Sequence, residues 1–406
     1  MYELFDEYDD NACRYAGYAK LQTQSQFASD GGLMSYATKE GTFRYLKKFG
    51  KYSKDFYRFN GELFFPSLGI GTYKPEPYKE DNYIINFTEA IKTALRNGIN
   101  LIDTAINYRY QMSEREIAEA LSEMFKNGEI KRDEIIIASK AGFIPLDFPF
   151  PENPYGWIEE TIVGTGLATK EEIVIDQHCM TPSYLRWSCE QSLKNLEIDT
   201  IDIFFLHNPE TQLGYVDQET FYERIEAAFK LFEELIAEKK IGAYGIAAWN
   251  GFLYEEEHTE YVSLSKVVEI ARKVGGENHG FKYLQSPFNL AKPHSYGYQN
   301  QKCDDGLYYP LMHACARYGL TYIGSSPLLQ KNLFKRPFAP KVGELMGTSD
   351  LTDVASALQF ARSAGAISAV FGAVEPAHVI DNTILAYLPD ASGQAVEALM
   401  KDAYAI

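Results

Sequence analysis

From about residue 66 onward, short apolar and β-branched runs alternate with longer stretches whose apolar positions recur at helical spacing, the pattern of repeated βα units. Eight runs are predicted as strands: 68–72, 100–104, 134–139, 201–206, 242–247, 282–286, 320–325 and 367–372. The segments between them read as amphipathic helices; over 222–239, for example, Phe229, Phe232, Leu235 and Ile236 share one face above a charged one. Eight such units predict a closed (β/α)8 TIM barrel. A doubly wound open sheet is the competing architecture, but no GxGxxG follows an early strand and the unit count is high for one such sheet. Ahead of the first strand, the Asn60-Gly61 pair within 57–65 signals a β-hairpin with a two-residue turn, placed to plug the barrel's bottom. Residues 1–56 are polar and tyrosine-rich and read as an N-terminal extension wrapped on the barrel of 57–406. The stretch 141–181 is a long loop after the third strand, on the catalytic face by topology; it reads as a lid or pocket wall, against the plainer reading of a surface insertion.

Composition narrows the partners. A chain of 406 residues, 46% hydrophobic, can bury a large core. Its 56 acidic against 39 basic residues give a net charge of −17, which repels polyanions, so neither nucleic acid nor an anionic membrane is an expected partner. The cysteines, Cys13, Cys179, Cys189, Cys303 and Cys315, are odd in number and form no CxxC pair, which suits reduced thiols. The acidic start MYELFDEYDD does not read as a secretory signal, and no apolar run approaches the ~20 residues that span a bilayer. A cytoplasmic protein is the expectation.

In a barrel, the C-terminal ends of the strands converge on one mouth, so polar residues that close apolar strands are the candidates for chemistry. The second strand reads NLIDTAINY, giving Asp103 and, in the loop after it, Tyr108; the third ends IIIASK with Lys140; the fourth ends DIFFLHNPE with His207. Singly, each has a structural explanation: a helix cap, loop packing, a snorkelling lysine, a satisfied core histidine. Together they compose a proton-transfer device. A lysine ammonium beside Tyr108 would lower the phenol's pKa, Asp103 would keep that lysine charged, and His207 would donate to a substrate oxygen near the Tyr108 hydroxyl.

The segments LGIGTY, GINLIDTAINY, SEREIAEAL, RDEIIIASKAG, SLKNLEIDTIDIFFLHNP, IGAYGIA and VFGAVEPAHVIDN, in order over 66–385, resemble the successive signatures of aldo-keto reductases. The resemblance implies an NAD(P)H-dependent oxidoreductase that interconverts a small-molecule carbonyl and alcohol, with no metal, and it carries a catalytic tetrad onto Asp103, Tyr108, Lys140 and His207. It places a nicotinamide dinucleotide, NADP(H) ahead of NAD(H), across Gly71, Thr72, Tyr73, Trp249, Asn250, Gln285, Ser325, Ser326, Leu328, Gln330, Gly372, His378, Asp381 and Asn382. Three departures stand out. Ala247-Ala248-Trp249-Asn250 replaces the family's Ser-Asn after the fifth strand, so Asn250 or main chain must hold the amide; Ser325 stands where an aromatic residue stacks on the nicotinamide, leaving Trp249 as a substitute; and Val374 and His378 occupy positions where a basic residue meets a 2′-phosphate. His178-Cys179 lacks further ligands at metal-binding spacing.

Two other functions compete. A strand-end lysine of depressed pKa can form a Schiff base, although a carboxylate at Asp103 would raise that pKa. A cofactor-binding regulatory or accessory subunit of the same fold is the alternative from another class. For substrate, Phe143, Phe148, Phe150, Tyr155 and Trp157 of the long loop suggest an apolar or ring-stacking ligand, although core packing explains them equally well.

Overall fold

Eight parallel strands close on themselves in the computed structural model, which describes residues 35–74 and 85–401. A hairpin of β1 (Tyr57–Phe59) and β2 (Phe64–Pro66) precedes β3 (Leu68–Gly71), β4 (Leu101–Asp103), β5 (Ile136–Ala141), β6 (Ile201–His207), β7 (Ile241–Ala247) and β8 (Phe281–Pro287). A second hairpin, β9 (Gln299–Lys302) and β10 (Tyr308–Pro310), comes before β11 (Thr321–Ser325) and β12 (Ser368–Gly372). The barrel runs β3-β4-β5-β6-β7-β8-β11-β12, and β12 returns to β3 with Val370 opposite Gly69 and Gly372 opposite Gly71.

The period-2 alternation of the strands divides the core. Leu101, Ile136, Ala138, Ile203, Phe205, Ala247, Tyr283, Ile323 and Val370 fill the barrel interior as one cluster, joined from the hairpin by fully buried Phe65. Their neighbours Ile70, Ile102, Ile137, Phe204, Leu206, Ile246 and Leu284 belong to the cluster packed against the helices.

The helices begin on capping residues. Asp217 accepts a hydrogen bond from Thr220 N at 2.8 Å and starts helix Gln218–Ala237 one turn before the apolar stripe of 222–239. Thr181 caps Pro182–Leu196. Helix Lys39–Leu46 lies beside the turn Arg132–Glu134: Arg44 pairs with Asp133 at 2.6 Å and Glu134 at 3.0 Å, and Lys48 with Glu134 at 2.9 Å. Those partners explain one shifted boundary. Glu134 belongs to a 3₁₀ turn, and β5 starts at Ile136 rather than 134, which brings Lys140 inside the strand.

The hairpin also differs from expectation. Phe59 pairs with Phe64, so four residues form the loop and not two. Asn60 organises it, its Oδ1 accepting from Glu62 N at 3.0 Å and Leu63 N at 2.9 Å, while its Nδ2 donates to Tyr283 and Thr321 at 3.2 Å each. Residues 1–34 of the expected extension lie outside the described residues. Among the described residues no helix is long and apolar enough to cross a membrane.

The long loop leaves β5 at Gly142 and rejoins the barrel frame through a narrow neck. Cys179 N donates to Gly142 O at 2.8 Å and Ile144 N to Gln177 O at 2.7 Å. Beyond the neck the chain folds into a short helix, Pro154–Ile158, continued by a turn at Glu159–Val163, and buries Ile144, Ile162 and Ala168.

Candidate active site

At the mouth, Lys140 Nζ donates to Asp103 Oδ2 at 2.6 Å and to Thr104 O at 2.7 Å, while Gln285 Nε2 reaches across the barrel to Asp103 Oδ1 at 2.9 Å. Both Asp103 oxygens and the lysine are thereby fixed, with Lys140 only 1% exposed. Tyr108 lies over this pair, its ring centroid 5.1 Å from Lys140 Nζ and 5.9 Å from the His207 ring. Tyr73 packs edge-on to Tyr108 at 5.1 Å, and Phe143 edge-on to His207 at 5.3 Å. The loop behind Tyr108 turns through left-handed backbone at Arg109, Tyr110 and Gln111, and is anchored by the buried Arg109–Glu116 ion pair, 2.6 Å.

Electrostatics correct two expectations. Burial, with Asp103 and Tyr73 adding to it, holds the Tyr108 phenol well above its ordinary pKa, so the resting phenol is not brought down by the lysine beside it. Burial also lowers the pKa of Lys140, outweighing the opposing pull of Asp103. What argues against a Schiff-base lysine is therefore geometry: Nζ is enclosed and bonded to two oxygens. Burial, helped by Lys140 and His178, depresses the pKa of His207 far below the usual imidazole value, so this ring is neutral at pH 7. Its Nδ1 is buried and has no hydrogen-bond partner among the described residues.

The positions that the resemblance assigned to a dinucleotide ring the same mouth on other strands. Gly71 ends β3, and Thr72 follows it, buried, its hydroxyl donating to Thr104 Oγ1 at 2.8 Å. Gln285 has its amide nitrogen committed to Asp103. After β7, Trp249 is exposed and carries Lys292 Nζ 5.1 Å from its ring centroid. Asn250 is engaged on both side-chain atoms, Oδ1 by Lys292 at 3.0 Å and Nδ2 by Tyr254 at 3.4 Å, so its amide is not free in the way the sequence suggested. Buried Glu210 caps this turn, accepting from Trp249 N at 2.5 Å and Asn250 N at 3.2 Å. Ser325 ends β11; beyond it Ser326, Leu329, Gln330 and Lys331 are left-handed, while Leu328 between them keeps a negative φ of −102°. Gly372 ends β12 just before helix Pro376–Thr383, on which His378 and Asp381 are exposed and Asn382 buried.

The loop aromatics part company. Phe143 faces His207, Phe150 packs on Tyr110 at 4.9 Å, Trp157 leans on the core, and Phe148 and Tyr155 are exposed. Among the described residues no three His, Cys, Asp or Glu side chains gather as a metal site. Sequence reasoning missed Thr104 O, the Gln285 brace, Glu210 and the hydrogen bonds of His178. Of these only Glu210 left a trace, as the carboxylate that ends the NPE of the fourth strand.

Known proteins resemble this chain in sequence and in fold. The sequence profile of the aldo/keto reductase family matches residues 67–271 of the 406. Aldose reductase B of Dictyostelium discoideum is 29% identical over 144 residues, 36% of this chain and 32% of that protein. Glycerol 2-dehydrogenase (NADP(+)) of Hypocrea jecorina is 24% identical over 207 residues, 48% of this chain and 52% of its own length. The match thus spans from about a third to about half of these relatives. Among solved structures, an aldo/keto reductase from Klebsiella pneumoniae in complex with NADP and acetate superimposes with a TM-score of 0.55 at 19% identity, over 86% of this chain and 95% of that one. The aldose reductase from Schistosoma japonicum gives 0.52 at 18%, over 84% and 88%; both likenesses are of fold. A profile match across half the chain, on a barrel of the same architecture, makes this protein a member of the aldo/keto reductase family.

Proposed function

We propose that this protein is an NAD(P)H-dependent oxidoreductase that interconverts a small-molecule aldehyde or ketone with its alcohol, Tyr108 serving as general acid and base. The observation that carries the reading is the convergence of Tyr108, the Asp103–Lys140 pair and His207 on one point of the mouth. Burial keeps the Tyr108 proton in place at neutral pH, as carbonyl reduction requires of its acid. As charge develops on the substrate oxygen, the Lys140 ammonium eases release of that proton, and the neutral His207 ring supports the same oxygen through an N–H. Tyr73 and Phe143 wall the spot against water. The reverse, alcohol oxidation, uses Tyr108 as base.

The chain has the backbone to receive a dinucleotide. At the end of β12, Gly372 leaves the backbone open to close approach, since even a Cβ there would meet nothing nearer than Tyr73 O at 3.7 Å. Gly71, Thr72, Tyr73, Trp249, Gln285, Ser325, Ser326, Leu328 and Gln330 would hold the nicotinamide and phosphate end, and Gly372, His378, Asp381 and Asn382 the adenosine. When bound, the nicotinamide supplies or accepts the hydride. NADP(H) is the first choice and NAD(H) the second, since His378 replaces a basic residue.

Titration with NADPH and NADH by fluorescence, in wild type and His378→Arg, together with NADPH oxidation by a panel of aldehydes, tests this. Expected are binding of at least one nucleotide, tighter NADPH binding in His378→Arg, and a turnover loss on the order of 10²- to 10⁴-fold in Tyr108→Phe. Nucleotide binding with turnover indifferent to Tyr108 would favour the accessory-subunit reading, for which the occupied Asn250 amide is the supporting observation.

A further inference from the structure

We infer that His178 is a positioning residue for His207, the middle member of a buried strut that runs from Arg224 through Gln212 and the end of the long loop to the backbone of the catalytic histidine. The inference rests on the function proposed for His207.

One peptide unit, between His207 and Asn208, creates the need. The N–H and C=O of a trans peptide point in opposite directions. Asn208 N donates to Ala247 O on β7 at 2.6 Å, so the His207 carbonyl faces the other way, towards β5. But β5 ends at Ala141, opposite Leu206, and the chain turns off at Gly142. No ladder amide of β5 is in register to meet that carbonyl, and a buried carbonyl without a partner is costly. His178, fully buried, fills the gap with its ring, Nε2 standing 2.8 Å from His207 O.

The protonation of the strut follows from its far end. Arg224 donates to Gln212 Oε1, which fixes the orientation of the Gln212 amide and makes its nitrogen the donor to His178 Nδ1 at 2.8 Å. His178 then carries its proton on Nε2 and donates it to His207 O. Burial keeps the ring neutral, its pKa pushed down to about 4. Phe143 packs edge-on against both rings, 4.9 Å from His178 and 5.3 Å from His207. Gly142 is the clearance: a Cβ there would lie 2.5 Å from His207 O and 2.9 Å from His178 Nε2.

His207 needs such support, because among the described residues its own Nδ1 finds no hydrogen bond to set the ring's direction. Backbone anchoring and ring packing are what remain. Both come from residues at the neck of the long loop, whose role at the site is therefore to aim the histidine.

The test compares full-length wild type, His178→Leu, His178→Gln and Gln212→Leu. Readouts are kcat and KM for NADPH-dependent reduction of 4-nitrobenzaldehyde, NADPH affinity by fluorescence, and the ¹H–¹⁵N histidine ring spectrum. Misplacing a catalytic group by about 1 Å costs on the order of 10²-fold, so His178→Leu should lose about that factor in kcat, with KM and NADPH affinity within ~3-fold. His178→Gln, which keeps a donor, should recover most of the loss, and Gln212→Leu should fall between. The wild-type spectrum should show His178 as the Nε2–H tautomer, and both leucine variants should shift the His207 ring signals. If His178→Leu does not fold, the Gln212→Leu and His178→Gln pair carries the comparison. Unchanged kcat in an active protein, or parallel loss of kcat and NADPH affinity that glutamine does not restore, would overturn the strut. A wild type that neither binds nucleotide nor turns over would sink the reductase reading instead; the ring spectrum alone then decides whether His178 holds His207.

Discussion

Lys140 and Asp103 are each almost sealed from solvent, and each is tolerable there only because of the other. Removing one partner of a buried pair strands the remaining charge, at a cost of roughly 3–5 kcal/mol. Asp103→Leu should therefore lower urea-denaturation stability by about that much, leaving the Lys140 ammonium with a single carbonyl and Gln285 with no acceptor. Adding Lys140→Met should restore most of the stability and none of the turnover; a double variant as unstable as the single one would show that the pair's worth is not electrostatic. This quartet was legible in the sequence because each member stands at or just beyond the end of an apolar strand. The Gln285 bond to Asp103 was not. Period-2 patterning assigns a residue to a face of its strand, but which interior side chains meet across the diameter depends on strand stagger and barrel closure. The same gap hid the sign of the Tyr108 shift, since sequence shows a neighbouring lysine but not the depth at which both are buried.

Among elements, the hairpin β1–β2 does the work expected of a plug, through one ring. Phe65 is fully buried among the interior residues of the barrel. Phe65→Ala should cost about 3–5 kcal/mol in denaturant unfolding, while kcat measured on the folded fraction stays near wild type because the proposed catalytic groups lie at the other ends of the strands. Loss of kcat without loss of stability would contradict that division. Arg58, on β1, ties the hairpin to the chain's later elements by bonding Arg362 O at 2.7 Å and Asp390 at 2.7 Å. All eight barrel strands were readable from apolar runs, and their ends moved by no more than a residue or two, with β5 displaced by the ion pairs of Glu134. The β9–β10 hairpin escaped detection because its short strands, QNQK and YYP, carry almost no apolar alternation and are held by pairing and by Tyr308 bonding Glu256 at 2.5 Å.

For the molecule as a whole, the buried histidines set a pH dependence of stability. His178 has its pKa lowered from 6.5 to about 4 in the fold, so as pH falls the unfolded chain takes up its proton first. Its contribution is whole above about pH 6.5, drains as pH drops towards 4 and is gone below, a change on the order of 3 kcal/mol. Glu114, Asp202 and Glu210, whose carboxyls burial holds above their usual range, act in the opposite sense, gaining stability as pH falls. The clean measurement is therefore the difference between the urea stability curves of wild type and His178→Gln at pH 7.5 and 4.5. Wild type should lose more across that interval, and parallel curves would refute the assignment. At this scale the neck that joins Gly142 to Cys179 also sets how freely the loop can vary in length. Because the two sides of that neck stay adjacent whatever lies between them, the enclosed excursion can double in length at a closure cost of only about 0.6 kcal/mol. Insertions within the excursion should therefore be absorbed like slack in a rope tied off at both ends, leaving the knot at Gly142 and Cys179 where it is.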